Sequence, residues 1–148
     1  MQPYPERRQR LAERIRARGG GVAVLFTAPL ALRNRDSEYP YRWDSYFYWL
    51  TGFPEPEAAI VLRADDRGTE ATLFCRTKDP ERETWDGRRF GPEAAREQFG
   101  FDRSYPIAEL DARMPELLAD AESIHYARGA EPELDARVRQ WLGAVRAQ

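Results

Sequence analysis

The sequence predicts an α/β fold in which a mixed β-sheet is flanked by helices. Two short, continuous apolar runs, residues 22–26 and 58–62, are typical of strands that are buried on both faces. Segments near both ends of the chain instead carry apolar residues at helical spacing, with arginine on the remaining faces. At 148 residues the chain has the length of one domain. We therefore expect residues 1–148 to form a single α/β unit.

The individual elements follow from local patterns. Leu11 and Ile15 lie four residues apart on one helical face, and the glycines at 19–21 end that helix. Turn residues at 64–68 separate two apolar runs and predict a hairpin. Asp-Pro and Asp-Gly pairs are turn signals, so the segment after the hairpin is predicted to be a loop. The predicted elements are, in chain order, a helix at 6–18, strands at 22–26, 58–62 and 69–76, a loop at 77–90, a helix at 91–99, a short strand or bend at 105–107, a helix at 109–119, a strand at 123–127 and a helix at 132–147.

The aromatic segment, residues 36–62, is the stretch around which the chain is organised. It reads DSEYPYRWDSYFYWLTGFPEPEAAIVL and is the densest aromatic part of the sequence. Packed aromatic side chains bury large areas, yet Asp36, Glu38, Arg42 and Asp44 are interleaved with them, and charged groups are rarely buried unless paired. We interpret this loop-to-strand passage as a core-anchored surface against which another molecule or domain docks. The alternative is an aromatic core loop whose charges merely face solvent.

Composition and charge argue against several classes of function. The chain has 23 Lys and Arg against 25 Asp and Glu and lacks a basic stripe, so nucleic-acid binding is not indicated. No run approaches 18 apolar residues, and the first residues lack the apolar core of a secretory signal. The lone cysteine, Cys75, excludes an intramolecular disulfide, and its apolar neighbours favour a buried, inert thiol. We expect a cytoplasmic protein without membrane contact.

Candidate catalytic residues are scarce. A serine or cysteine hydrolase needs a nucleophile, a base and an orienting acid, but the sequence has one His, His125, and one Cys, Cys75. These two cannot form the usual zinc ligand set, and no HExxH or CxxC motif occurs. The glycines at 19–21 precede a strand, whereas a phosphate-binding loop follows one. We predict no catalytic residue, metal ligand or cofactor site in this chain; an independent hydrolase using His125 and Cys75 stays as a third alternative.

Two motifs together carry a family resemblance. The aromatic segment, followed by ETWDGRRFG, closely resembles the amino-terminal domain of bacterial Xaa-Pro aminopeptidases, the aminopeptidase P family of creatinase or pita-bread metallopeptidases. YPYR, the run S-x-F-x-x-L-T-G-F-x-E-P-E-A and W-x-GRR are specific in combination, and the resemblance covers essentially the whole chain. The sequence departs from the family pattern at Trp43, where the family has Gln. The resemblance implies a creatinase-like amino-terminal fold, which is ribonuclease-H-like.

The resemblance also implies that the chemistry belongs to a second domain. The carboxy-terminal domain of the family binds two divalent metals, usually manganese, through two Asp, one His and two Glu, and a bridging hydroxide attacks the peptide bond before proline. This chain is then the non-catalytic amino-terminal domain, which gates the active site, contributes to the substrate pocket and supports oligomerisation. Its implied partners are its own catalytic domain, further copies in a dimer or tetramer, and a proline-containing peptide. The alternative is a stand-alone peptide- or protein-binding module of the same fold without peptidase activity.

Site residues are implied by motif position. Trp85 corresponds to a Trp that reaches into the active site of the neighbouring subunit, and Asp36 corresponds to an Asp near the substrate entrance. An exposed Trp in a charged loop is independently a typical interface anchor. The alternatives are that Trp85 folds back onto its own domain and that Asp36 caps a loop or pairs with Arg42. The predicted substrate-pocket or interface residues are Trp85, Asp36, Tyr39, Tyr41, Arg42, Arg88 and Arg89.

Overall fold

The structure is a computed structural model that describes residues 3–27, 45–119, 121, 123–125 and 132–146. The predicted α/β fold is confirmed, with helices on both sides of a five-stranded mixed sheet. None of the helices within these ranges is both long and apolar enough to cross a membrane. The elements are α1 (Tyr4–Ala17), β1 (Gly21–Phe26), α2 (Ser45–Thr51), β2 (Ala59–Asp65), β3 (Gly68–Cys75), α3 (Pro80–Asp86), α4 (Gly91–Phe99), β4 (Arg103–Pro106), a 3-10 turn (Ile107–Glu109), α5 (Leu110–Leu118), β5 (Ile124–His125) and α6 (Pro132–Arg146).

The sheet has the strand order β4-β3-β2-β1-β5. β2 pairs with β1 and with β3 in antiparallel fashion, whereas the outer strands β4 and β5 pair in parallel with their neighbours. The predicted hairpin is confirmed, since Asp65 at the end of β2 pairs with Gly68 at the start of β3. The Asp65 carboxylate stabilises this turn by accepting the backbone N–H of Arg67 at 2.9 Å.

An apolar core lies on each face of the sheet. Along β2, Ile60 and Leu62 face the layer of α1, α2 and α4, whereas Ala59 and Val61 face the layer of α5 and α6. All four are buried, which confirms that the continuous apolar run forms a strand covered on both faces. Each fully buried Ile or Leu contributes about 1.5–3 kcal/mol through the hydrophobic effect.

Helix α2 corrects the sequence analysis. The aromatic segment is predicted as a loop-to-strand passage, but Ser45–Thr51 is helical. Phe47, Leu50 and Thr51 are buried and recur at spacings of three and four, which places them on one helical face against the core. Packing of this face outweighs the strand preference of its aromatic residues.

Arg8 is buried in α1, although the sequence predicts that arginine lies outside the packed face. It is 3% exposed, and its guanidinium donates to the carbonyls of Leu50 at 3.0 Å, Phe99 at 3.0 Å and Gly100 at 3.2 Å. Burial lowers the pKa of Arg8 to about 10, partly offset by Asp102, so the side chain stays charged at neutral pH. Arg8 therefore fastens α1 to the carboxyl ends of α2 and α4.

Candidate functional site around Trp85

The predicted site residues divide into two groups. Trp85, Arg88 and Arg89 lie within the described part of the chain, between the last turn of α3 and the start of α4. The other four, Asp36, Tyr39, Tyr41 and Arg42, lie outside the described residues.

Trp85 lies on a helix where the sequence predicts a loop. The Asp79 side chain caps α3 by accepting the backbone N–H of Arg82 at 3.2 Å. Pro80 occupies the first turn, where a missing N–H costs nothing. After Asp86 the chain turns at Gly87, whose φ of 97° is a conformation that favours glycine. The loop prediction is therefore wrong over residues 80–86, and the helix fixes the backbone that carries Trp85.

The indole of Trp85 is almost fully exposed. Its exposed fraction is 86%, against 43% for Trp49, the other exposed large apolar residue of the described chain. Exposure of this size leaves the ring unpacked on its own domain, so the alternative of a Trp85 folded back does not match the structure. A large, rigid aromatic with one N–H donor is instead available to another molecule.

A single carboxylate ties together the two ends of the segment that carries Trp85. Glu83 Oε2 accepts the backbone N–H of Asp79 at 3.0 Å, and Oε1 accepts the backbone N–H of Arg89 at 2.9 Å. Lys78 Nζ also donates to Oε1 at 3.1 Å. The hydrogen bond from Arg89, followed by those from Asp79 and Lys78, lowers the pKa of Glu83 to about 2. The carboxylate is thus charged throughout the neutral range. We call Glu83, Lys78, Asp79 and Arg89 the Glu83 network.

The two arginines of the W-x-GRR motif have different surroundings. Arg88 is exposed, whereas Arg89 is half-buried and donates from Nη1 to the Thr77 carbonyl at 3.3 Å. The Arg89 carbonyl accepts from Lys78 Nζ at 2.9 Å. Arg89 therefore shapes the segment after Trp85, and Arg88 is the more accessible of the two.

Glu55 holds the next residue of the same segment. Its Oε2 accepts the backbone N–H of Phe90 at 2.8 Å, while Oε1 lies 3.5 Å from Arg76 Nη2. The Glu55 and Arg76 side chains are 8% and 10% exposed, so the pair is nearly buried. The Phe90 ring packs 5.1 Å from Phe99 and 5.8 Å from Phe53 between ring centroids. These contacts anchor the start of α4 in the core.

Sequence reasoning missed Glu83, Lys78 and Glu55 as site residues. Glu55 lies in the L-T-G-F-x-E-P-E-A run, but nothing in that run distinguishes a buried carboxylate from an exposed one. Asp79-Pro80 followed by Glu83 is a helix-start pattern, and it was the one available signal for the Glu83 network.

The described part of the aromatic segment is anchored in the core on one side. Phe47 and Leu50 of α2 are buried, whereas Trp49 lies outside with the Arg7 guanidinium 4.7 Å above its ring. Arg7 Nη1 also donates to the Trp49 carbonyl at 2.9 Å. This arrangement supports the interpretation of a core-anchored surface for residues 45–51.

The geometry offers no activated nucleophile at the only His or the only Cys. Ser123 Oγ lies 3.0 Å from His125 Nε2 and donates to the Gly20 carbonyl at 3.0 Å. The hydroxyl has one proton, which it donates to the Gly20 carbonyl, so the contact gives no sign of a serine activated by His125. Burial, with a contribution from Glu55, raises the pKa of Cys75 to about 12, so the thiol stays protonated. The structure therefore gives no support to an independent hydrolase built on His125 and Cys75.

Comparison with known proteins identifies the family. The family profile described as aminopeptidase P, N-terminal domain, matches residues 4–125. The chain belongs to the aminopeptidase P N-terminal domain family. The predicted family is thus confirmed.

This aminopeptidase P domain is similar to bacterial Xaa-Pro aminopeptidases over most of its length. It is 39% identical to the Xaa-Pro aminopeptidase of Escherichia coli over 98% of this chain and 33% of that protein. The Xaa-Pro aminopeptidase of Haemophilus influenzae is 37% identical over 83% of this chain and 28% of that protein. The solved structure of Pseudomonas aeruginosa aminopeptidase PepP matches with a TM-score of 0.88 and 42% identity, over 97% of this chain and 32% of that one. The chain therefore spans about a third of the length of the relatives it matches.

The described residues of this aminopeptidase P domain do not assemble a metal-binding group. One matching structure is a zinc-substituted E. coli aminopeptidase P in complex with product, with a TM-score of 0.89 and 39% identity, over 97% of this chain and 32% of that one. Across the described ranges of the present chain, His, Cys, Asp and Glu form no group of three or more that could hold a metal ion. The two-metal site implied by the family resemblance is thus not built from the described residues.

Proposed function

We propose that this chain is the non-catalytic amino-terminal domain of a manganese-dependent Xaa-Pro aminopeptidase, which removes amino-terminal residues that precede proline. The family membership and the similarity to bacterial Xaa-Pro aminopeptidases support this proposal. The chain covers only about a third of those relatives. On this proposal the two manganese ions and the hydroxide that attacks the peptide bond belong to a separate catalytic domain in a cytoplasmic enzyme.

The role proposed for the domain is to complete and restrict the active site. The single observation that carries it is the 86% exposed Trp85 on a helix whose two ends are tied by the Glu83 network. Tryptophan is enriched among residues that dominate binding energy, and its large ring buries a large area when another surface covers it. We therefore assign Trp85 to the substrate pocket of a neighbouring subunit, in a dimer or tetramer. Access is then limited to short peptides with proline second.

Substitution of Trp85 tests this role. Trp85→Ala in the complete gene product is expected to lower kcat/KM for Xaa-Pro peptides by about tenfold to a hundredfold, since loss of a buried anchor costs about 2 kcal/mol or more. The helical content and thermal midpoint of the variant should stay unchanged, because the side chain makes little contact with its own domain. Glu81→Ala on the same helix, also exposed, is the matched control and should keep normal kinetics. Unchanged kinetics for Trp85→Ala would overturn the pocket role.

A second measurement separates the proposal from a stand-alone binding module. The native gene product is assayed for hydrolysis of Xaa-Pro peptides with manganese, and its intact mass is determined. A product larger than 17.2 kDa by a domain of about 200–250 residues, and active on these peptides, supports the enzyme. A product of 17.2 kDa that binds peptides without cleaving them supports the module.

A further inference from the structure

We propose that Glu83 is a positioning residue that holds Trp85 in the orientation in which it enters the neighbouring active site. The inference rests on the proposed function, because it assigns a task to Glu83 only if Trp85 contributes to the substrate pocket. The observation behind it is that one carboxylate bonds to the backbone on both sides of Trp85.

Trp85 takes its orientation from the backbone that carries it. Its indole is 86% exposed, so packing of the side chain on its own domain contributes little. The direction of the ring must therefore come from the backbone of α3 and from the way that helix is attached. Because α3 spans only Pro80–Asp86, its internal hydrogen bonds alone make a marginal helix.

Helix α3 is attached on both sides through one carboxylate. The Glu83 carboxylate accepts a hydrogen bond from the backbone N–H of Asp79, which precedes the helix, and one from the backbone N–H of Arg89, which follows it. Hydrogen bonds from N–H groups to a carboxylate are about twice as strong as bonds between neutral groups. Trp85 lies between these two attached residues, so the carboxylate holds the segment that carries Trp85 at both of its ends.

Neighbouring contacts support the same attachment of α3. Lys78 Nζ bridges Glu83 Oε1 and the Arg89 carbonyl, at 3.1 and 2.9 Å. Glu55 holds the N–H of Phe90 at 2.8 Å and so fixes the chain directly beyond Arg89. The segment from 78 to 90 is thereby held at its base before any partner binds. A preformed segment avoids the loss of conformational freedom that ordering on binding would cost.

The variant Glu83→Gln tests the inference in the complete gene product. It keeps the size of the side chain but replaces one acceptor oxygen with an NH₂ group that faces N–H donors. A displacement of about 1 Å at a remote position can cost about a hundredfold in rate, so a loss of about tenfold in kcat/KM for Xaa-Pro peptides is expected. Glu81→Gln removes the same charge from an exposed position on the same helix and should leave kcat/KM within about twofold.

Two readouts separate positioning of Trp85 from a general loss of structure. In the double variant Trp85→Ala with Glu83→Gln, kcat/KM should equal that of Trp85→Ala alone within about twofold, because Glu83 then has no ring to position. Hydrogen exchange at the amides of Asp79 and Arg89 should accelerate at least about tenfold in Glu83→Gln and not in Glu81→Gln.

The outcomes distinguish this inference from the function on which it rests. Unchanged kinetics for Trp85→Ala would overturn both. Impaired Trp85→Ala with normal Glu83→Gln would overturn the positioning role and leave the proposed function standing. A Glu83→Gln defect that multiplies with that of Trp85→Ala would show that Glu83 acts independently of Trp85, which also overturns the inference.

Discussion

Glu55, within the aromatic segment, accepts the backbone N–H of Phe90 at 2.8 Å, although 35 residues separate them in sequence. The same carboxylate lies 3.5 Å from Arg76, the residue that follows β3. One nearly buried side chain thus joins the aromatic segment, the sheet and the W-x-GRR motif. The two motifs that identify the family meet at this residue.

Removal of Glu55 should therefore destabilise the domain. Glu55→Ala leaves the nearly buried Arg76 charge and the Phe90 N–H without this carboxylate, and loss of one partner of a buried ion pair costs about 3–5 kcal/mol. Urea unfolding should show this loss in the free energy of unfolding. Glu57→Ala, an exposed neighbour, is the control and should change it by no more than about 0.5 kcal/mol. Equal stability of the two variants would contradict the role of Glu55.

Arg8 should also be sensitive to substitution. Arg8→Met keeps an apolar stem but leaves three carbonyls, of Leu50, Phe99 and Gly100, without their donor. The bond to Leu50 is buried, whereas those to Phe99 and Gly100 are part-buried. An unsatisfied buried group costs about 1–3 kcal/mol, so we expect a loss of at least about 1 kcal/mol in the free energy of unfolding.

The matched control for that measurement is Arg10→Met. Arg10 forms an exposed pair with Glu6 on the same helix, and such pairs contribute little. A change in stability for Arg10→Met as large as for Arg8→Met would show that net charge, and not the three carbonyl contacts, governs the effect.

The Glu83 network should stabilise the domain in a pH-dependent way. Hydrogen bonds from Arg89 and Asp79 lower the pKa of Glu83 from 4.5 to about 2 in the folded chain. A depressed pKa means that the stabilisation is complete above pH 4.5 and is lost as the pH falls to about 2. The difference in stability between the unsubstituted chain and Glu83→Gln should shrink over this window. Urea unfolding from pH 7 to pH 2 measures it, and a difference that persists undiminished at pH 2 would contradict the assignment.

Cys75 should be inert in the folded domain. Burial raises its pKa to about 12, against about 8.5 for a free thiol, so its thiolate fraction near pH 8 is about a thousandfold smaller. A thiol reagent should therefore label the folded chain very slowly and the chain in denaturant at once. The readout is unambiguous because the sequence has one cysteine. Rapid labelling under native conditions would show that β3 opens or that Cys75 is accessible.

Strands β1 and β2 could be predicted from sequence because their signals are local, whereas the strand order β4-β3-β2-β1-β5 depends on contacts between distant residues. The apolar runs at β1 and β2 are short and continuous, and burial on both faces follows directly. Helices α2 and α3 do not follow from the sequence patterns, for two different reasons. The aromatic residues of α2 favour strands, and only contact of Phe47 and Leu50 with the core decides otherwise. In α3, Asp79-Pro80 is a turn signal, but the same pair also begins helices.

Only those residues of the candidate site that belong to a recognisable motif could be predicted from the sequence. Trp85 follows from W-x-GRR and is exposed in the structure, while its role as an anchor stays a prediction. Arg8 and Glu55 were not predictable, since their partners Gly100 and Phe90 are distant in sequence and charged residues are expected at the surface. The roles of Asp36, Tyr39, Tyr41 and Arg42 stay predictions, since these residues lie outside the described chain.

The outer strand β4 limits how copies of this domain could associate through the sheet. β4 comprises four residues, the last of which is Pro106 without an N–H. A strand this short gives an incoming chain few backbone groups to pair with, and proline removes one more. Growth of the sheet from one molecule into the next is therefore discouraged at β4. On the proposed role of the domain, recognition between subunits then depends on side chains such as Trp85, which can be substituted without rebuilding the sheet.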